Sequence, residues 1–206
     1  MVEQADVVRN LAGLRVLDVG RLDETGDRCC GTVLRETGAV LVVFGGLPGT
    51  GKSTLSRVVA LRLMAVWLRV DAIESAMWRA GVERDQPTGL AAYVVANTVA
   101  DAQLGLGSTV VADAVNPVEA ARAGWRRLAE SHRVALRVIE VTCSDPEEHR
   151  RRVERRVPAR DQPRPPGWEQ VLARDYQAWS ESRLVVDTMD SEDECLKQIM
   201  EFVQGS

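Results

Sequence analysis

Val40-Leu41-Val42-Val43-Phe44-Gly45-Gly46-Leu47-Pro48-Gly49-Thr50-Gly51-Lys52-Ser53-Thr54 is the stretch on which the reading of this 206-residue chain turns. Val40 to Phe44 is an unbroken β-branched and aromatic run, which suits a strand buried on both faces. Gly46 to Ser53 then spells G-x-x-x-x-G-K-S. Leu55, Val58, Val59 and Leu63 recur at helical spacing, so a helix is expected from Gly51 to about Met64. Strand, glycine loop and helix, in that order, are the setting this phosphate-binding motif requires. Its glycines let backbone N–H groups turn inward, and the helix N-terminus adds its positive dipole end. Lys52 is placed to reach the β- and γ-phosphates of ATP, and the Ser53 hydroxyl to ligate Mg²⁺. Gly46, Leu47, Pro48, Gly49, Thr50, Gly51, Lys52, Ser53 and Thr54 are the expected ATP-binding set.

Outward from that loop the chain alternates. Apolar runs at Val66–Val70, Thr109–Ala112, Val134–Thr142 and Leu184–Val186 read as four more strands. Helices are expected over Ala72–Ala80, Leu90–Leu104, from Pro117 to about Ser131, from Asp145 to about Arg156, from Trp168 to about Trp179, and over Glu192–Val203. Asp145-Pro146-Glu147-Glu148 is a helix-start signal, with a capping Asp, proline at the first turn and acids behind it. The fold class is α/β: a five-stranded parallel sheet flanked by helices on both faces. One domain spans 39–206. Residues 1–38, where Leu14–Val19 has strand character, form an N-terminal extension to which the sequence assigns no task.

Asp71 and Asp113 each follow an apolar run at the C-terminal edge of an expected strand, the edge where ligands bind in open α/β sheets. One carboxylate there can help hold Mg²⁺, the role expected of Asp113. Another can take the proton of an attacking hydroxyl, the role expected of Asp71. Capping of the following helix is the structural alternative for both. Glu74 stands one helical turn after Asp71 and, with Asn116, is a candidate for the acceptor site. Arg150, Arg151, Arg152, Arg155, Arg156 and Arg160 form a basic run in which Arg152 and Arg156, like Arg151 and Arg155, are four apart. Positive charge brought over the γ-phosphate by a short lid would stabilise phosphoryl transfer, and either pair could supply it. A solvated basic helix face is the alternative. The tryptophans and Tyr93 read first as core.

Composition limits the partners. A formal net charge of -4 lacks the basic surplus of a nucleic-acid binder, and no aromatics interleave with the arginines. No apolar run reaches membrane-spanning length, and no leader-like segment opens the chain. Cys29, Cys30, Cys143 and Cys195 show no metal spacing and read as free thiols in a cytoplasmic protein. The separated His132 and His149 suggest no metal site.

From Leu41 to about Val203 the chain resembles the small P-loop kinases of the adenylate-kinase-like group. That group includes chloramphenicol phosphotransferase, gluconate kinase, zeta toxins and the kinase domain of phage polynucleotide kinase. The resemblance rests on the loop Gly46–Thr54, on Asp71 ending the second strand, on Val110-Val111-Ala112-Asp113-Ala114-Val115-Asn116, and on the lid start Asp145 to Arg156. It implies that Asp71 is the base or orients the acceptor hydroxyl, and that Arg152-Val153-Glu154-Arg155-Arg156 carries the lid arginines. The group often has an arginine shortly after that Asp. Here Glu74 stands instead, which disfavours an anionic acceptor. The expected function is therefore transfer of the γ-phosphate of ATP, with Mg²⁺, to a hydroxyl of a small metabolite or antibiotic. A P-loop NTPase switch or ATP-binding regulatory module is the main rival and a polynucleotide kinase the second.

Overall fold

The computed structural model describes residues 38–83, 86–156 and 166–205. Leu14–Val19, Cys29, Cys30, Arg160 and all of the expected extension but Gly38 lie outside the described residues.

Five strands form one parallel sheet in the order β2-β3-β1-β4-β5. They are β1 (Val40–Gly45), β2 (Val66–Arg69), β3 (Val110–Asp113), β4 (Ala135–Thr142) and β5 (Leu184–Asp187). Parallel neighbours need crossovers, and the helices supply them: α1 (Lys52–Leu63), α2 (Val70–Arg79), α3 (Thr88–Gly105), α4 (Glu119–His132), α5 (Pro146–Glu154), α6 (Trp168–Leu172) and α7 (Glu192–Gln204). β1 is central because its residues suit both faces. Val42 and Phe44 pack with Leu55, Val59, Leu196 and Ile199 of α1 and α7. Leu41 and Val43 pack with Ala92, Ala96 and Ala100 of α3 and Trp125 of α4. Full burial of each large apolar side chain contributes about 1.5–3 kcal/mol, and Leu41, Val42 and Phe44 are each at 0 % exposure. Pairing puts Phe44 beside Asp113, and Arg69 beside Asp113 in turn, so three strands end together where the P-loop begins.

The element order agrees with the sequence reading, and the boundaries differ where tertiary contacts intervene. α4 begins at Glu119, not Pro117. The carbonyls of Asn116 and Pro117 accept from the Arg122 guanidinium, and the Pro117 carbonyl also accepts from the Gln177 N–H. α6 stops at Leu172 rather than near Trp179. Beyond it, the Gln177 and Ala178 carbonyls accept from Arg122, and the Trp179 ring lies 3.9 Å under that guanidinium. Trp179 also fills the space over Gly45, where a Cβ would come within 2.3 Å of its ring. These bonds hold residues 176–179 against the sheet edge in place of further helix. α5 ends at Glu154, with Arg155 as its C-cap. Its start is as expected: the Asp145 carboxylate accepts from the Glu147 and Glu148 N–H groups, with Pro146 at the first turn.

Candidate phosphate and acceptor site

The loop from Gly46 to Gly51 turns on glycines at φ +128° (Gly46), +91° (Gly49) and +92° (Gly51), a region other residues enter at a cost. At Gly49 the reason is also steric, because a Cβ there would lie 2.5 Å from the Val153 methyl Cγ2. The loop closes on itself through the Leu47 carbonyl, which accepts from the Thr50 hydroxyl at 2.9 Å and from Lys52 Nζ at 2.7 Å. Gly51 caps α1 with no side-chain cap, and its carbonyl takes the Thr54 N–H, so the Lys52 and Ser53 N–H groups at the helix start are the ones left for an anion. Helix N-terminus, glycine cradle and lysine fit a nucleotide polyphosphate.

Lys52 is only 7 % exposed. Its pKa is lowered to about 8, chiefly because burial penalises the ammonium. The Asp113 carboxylate opposes that shift, Arg156 reinforces it, Asp71 opposes it and Arg174 reinforces it. One ammonium, two carboxylates and two guanidiniums therefore act on one space at the sheet's C-terminal edge. Asp113 is 3 % exposed and accepts from the Ser56 hydroxyl at 3.1 Å, while Ser56 in turn accepts from the Trp67 indole N–H at 3.1 Å. Asp71 is the opposite kind of carboxylate, with its side chain 58 % exposed. Arg69 joins them: its Nη2 is 2.7 Å from Asp71 Oδ2 and its Nε 3.9 Å from Asp113 Oδ2.

Neither aspartate caps a helix. The N-cap of α2 is Arg69 and that of α4 is Val118, so Asp71 sits inside the first turn of α2 and Asp113 ends β3. Half-buried Ser53 and the Asp113 carboxylate are the groups here that suit Mg²⁺, a cation usually held by one or two carboxylates together with substrate phosphates and water. Among the described residues no group of three or more His, Cys, Asp or Glu could hold a metal alone.

The arginines divide by partner. Arg150 pairs with Glu154 at 2.8 Å, and Arg151 with Glu148. Arg152 Nε donates to Glu148 at 2.7 Å, while its other nitrogens donate to the Thr188 hydroxyl and carbonyl at 2.7 and 3.1 Å. The Thr188 hydroxyl lies 3.0 Å from the Thr50 carbonyl, so Arg152 braces the P-loop indirectly. The i,i+4 pairing of Arg152 with Arg156 is absent because α5 ends at Glu154. Arg156 and Arg174 are exposed, and neither side chain has a hydrogen bond or ion pair among the described residues.

Glu74 accepts from the Thr88 hydroxyl at 2.8 Å, and Trp78 donates to the same hydroxyl at 3.1 Å. Asn116 is fully buried at 0 % exposure. Its amide donates to the Phe44 carbonyl at 2.8 Å, its Oδ1 accepts from Trp125, and its backbone N–H donates to the Tyr93 hydroxyl. It sits at φ +51°, which Asn tolerates better than most residues. The expected acceptor contact is thus replaced by a core role that fixes the chain after β3. Tyr93, its pKa pushed up to about 12 by burial, stands near the charges of Arg174 and Glu74. A cavity of about 640 Å³ lies between α3 and α4. Leu90, Val94, Pro117 and Arg127 contribute to its wall, and no P-loop residue does.

Sequence reasoning passed over Arg69, Arg122, His149 and Arg174. Arg69 ends the strand before Asp71 and was masked by the apolar run around it. His149 is one helical turn beyond the capping Asp145 and one before Val153, so spacing alone could have aimed it at the same neighbour as Val153. Arg122 and Arg174 carry no local signal.

The family described as an AAA domain matches residues 41–174. No curated protein matches the chain. Among solved structures, Mycobacterium tuberculosis APS kinase CysC in complex with AMPPNP and APS is similar at 19% identity and a TM-score of 0.58, covering 82% of this chain and 99% of its own. A gluconokinase from Sinorhizobium meliloti 1021 is similar at 13% identity and TM-score 0.60, covering 81% and 91%. Chaetomium thermophilum Kti12 in complex with ADP-AlF3 is similar at 19% identity and TM-score 0.59, covering 80% and 100%. At these identities the likeness is one of fold, that of the small adenylate-kinase-like P-loop kinases.

Proposed function

The chain belongs to the AAA domain family, and from that premise we propose that it is an ATP-dependent phosphotransferase that moves the γ-phosphate to a hydroxyl of a small molecule. The observation that carries this reading is one cluster of charges. Lys52 is buried at the loop, two guanidiniums that have no hydrogen bond or ion pair among the described residues act on it, and an exposed carboxylate acts there too. Phosphoryl transfer asks the protein mainly for positioning and for charge on the transferring group.

In this reading the P-loop N–H groups and Lys52 hold the β- and γ-phosphates. Ser53 and Asp113 hold Mg²⁺, which when bound neutralises phosphate charge. Asp71 takes the hydroxyl proton as the acceptor oxygen bonds to the γ-phosphorus and the bond to ADP breaks. Arg156 and Arg174 stabilise the charge that develops on the transferring group. Arg152 keeps Thr50 and Thr188 in place. Glu74 and Asp71 line the acceptor side, which favours a neutral or cationic acceptor. The gluconokinase and APS kinase likenesses support small-molecule acceptors in this fold. No helix among the described residues is long and apolar enough to cross a membrane.

A P-loop NTPase switch is the second reading, favoured by the ion pair that Asp71 already makes with Arg69. One experiment separates them. The chain is incubated with ATP and Mg²⁺ against a panel of hydroxyl-bearing metabolites and antibiotics, and mass spectrometry follows gain of one phosphate. A phosphorylated compound is the expected result. Many turnovers of hydrolysis without any acceptor would overturn it in favour of the switch.

A further inference from the structure

The P-loop has a second side. In the reading above phosphates sit on the open side of the loop, and on the other side the loop rests on α5, with the Val153 methyl and the His149 ring against Gly49. His149, 7 % exposed, lies there with its Nε2 2.9 Å from the Pro48 carbonyl oxygen. A carbonyl only accepts, so in this contact Nε2 carries the proton. The same imidazole crowds the next residue: a Cβ on Gly49 would lie 3.3 Å from His149 Cδ2. Its ring meets the ring of Trp168, the first residue of α6, edge to face, with centroids 5.1 Å apart and planes at 82°.

We propose that His149 is a positioning residue that holds the Pro48–Gly49 peptide in its phosphate-binding orientation and ties the P-loop to both α5 and α6. The inference rests on the nucleotide-binding reading given above. Its physical basis is the planarity of the peptide unit. In a trans peptide the C=O and the following N–H point in opposite directions. A hydrogen bond that fixes the Pro48 carbonyl toward α5 therefore fixes the Gly49 N–H away from it, toward the open side of the loop. Pro48 has no N–H and cannot hold the loop by donating. The free positive-φ glycine behind it would let the peptide flip at little cost. A buried donor on the far side removes that freedom before any phosphate arrives. The Arg152–Thr188 contact lies two residues on, where the single Thr188 hydroxyl proton is shared between the Thr50 and Thr142 carbonyls, each 3.0 Å away, and so links the loop to the end of β4. Both struts leave from one helix.

The test uses the full chain and two substitutions. His149→Phe keeps a ring edge for Trp168 and removes the donor. His149→Gln keeps an amide donor at about the same reach and removes the ring. Hydrogen exchange of the peptide covering residues 45–53 is measured without nucleotide, and ATP·Mg²⁺ affinity by calorimetry. His149→Phe is expected to speed P-loop exchange and weaken ATP about tenfold, the effect of leaving one buried carbonyl without its donor. His149→Gln is expected to stay within about threefold of the parent in both. Unchanged exchange and affinity in His149→Phe overturn the inference, and so does equal damage from both substitutions, which would mark a packing role only. If the parent chain binds no ATP while His149→Phe still speeds exchange, the phosphotransferase reading fails and the brace stands.

Discussion

The P-loop and α5 both bring positive polarity to one space, and they do it by different means. In the P-loop the polarity is mainly that of the backbone: N–H groups turned by glycines and backed by a helix dipole, with Lys52 the sole charge. Along α5 the polarity is that of long side chains, and most are neutralised where they stand. Arg150 has Glu154, while Arg151 and Arg152 share Glu148. The guanidiniums that act on Lys52 and have no partner among the described residues come from outside the helix, Arg156 just past its end and Arg174 beyond α6. Backbone polarity is written into a short run of residues. Side-chain charge becomes available only where the surrounding fold supplies no counter-ion.

The largest effect that would break this contrast is on the P-loop side. Lys52→Ala is expected to lower transfer by about a thousandfold or more and to weaken ATP binding, with the fold kept. Steady-state kinetics beside circular dichroism checks it, and near-parental turnover would end the P-loop assignment. Next comes the exposed carboxylate. Asp71→Asn is expected to lower kcat by about a hundredfold to a thousandfold while ATP affinity stays near parental, because an amide cannot accept the hydroxyl proton. Asp113→Asn should instead shift the Mg²⁺ dependence, read by ATP titrations at several Mg²⁺ concentrations. An Asp71→Asn chain that transfers at the parental rate moves the base elsewhere, with Glu74 first to be tried.

The contrast also governs what the sequence made legible. The sheet, the P-loop and the Asp145 cap were all readable, since each depends on residues within one turn or one strand of each other. Arg152 was not, because its chief partner Thr188 lies 36 residues away. Arg122 was invisible for the same reason: its carbonyl partners at Gln177 and Ala178 are 55 and 56 residues distant. Those contacts also cut α6 short, against a helical pattern that continues locally. Asn116 misled because an Asn at a strand end suits a ligand contact as well as a turn, and burial decides between them.

The arginine division gives the third prediction. Arg156→Ala and Arg174→Ala are each expected to lower kcat by about a hundredfold with little change in the KM for ATP, since charge on the transferring group peaks in the transition state. Arg152→Ala is expected to act about tenfold and chiefly on ATP affinity, through release of Thr188 and Thr50. A kcat loss in Arg152→Ala larger than in Arg156→Ala would reverse the assignment. The pH profile of kcat/KM sharpens the Lys52 side. With a pKa of about 8 in the free chain, the ammonium is intact below that pH and is lost above it. The profile should therefore fall about tenfold per pH unit beyond 8. Lys52→Arg should lack that limb. The sign for stability is opposite: between pH 8 and the ordinary lysine value of 10.5 the unfolded chain holds this proton more tightly, so the burial penalty is relieved as pH rises through that window.

The smallest expected effect tests the contrast most narrowly. Arg151 and Arg152 are neighbours in sequence and both reach Glu148, yet they should differ in consequence. Arg151 is exposed, and its side chain has no other partner among the described residues. Removing it leaves Glu148 to Arg152, which keeps Thr188. An exposed pair of this kind is worth about 0–1 kcal/mol, and no phosphate or loop atom depends on it. Arg151→Ala is therefore expected to leave kcat and the KM for ATP within about twofold of the parent. If it instead matches Arg156→Ala in kcat, the ion pair with Glu148 does not hold Arg151 away from the site. Local neutralisation would then no longer separate the two groups of arginines.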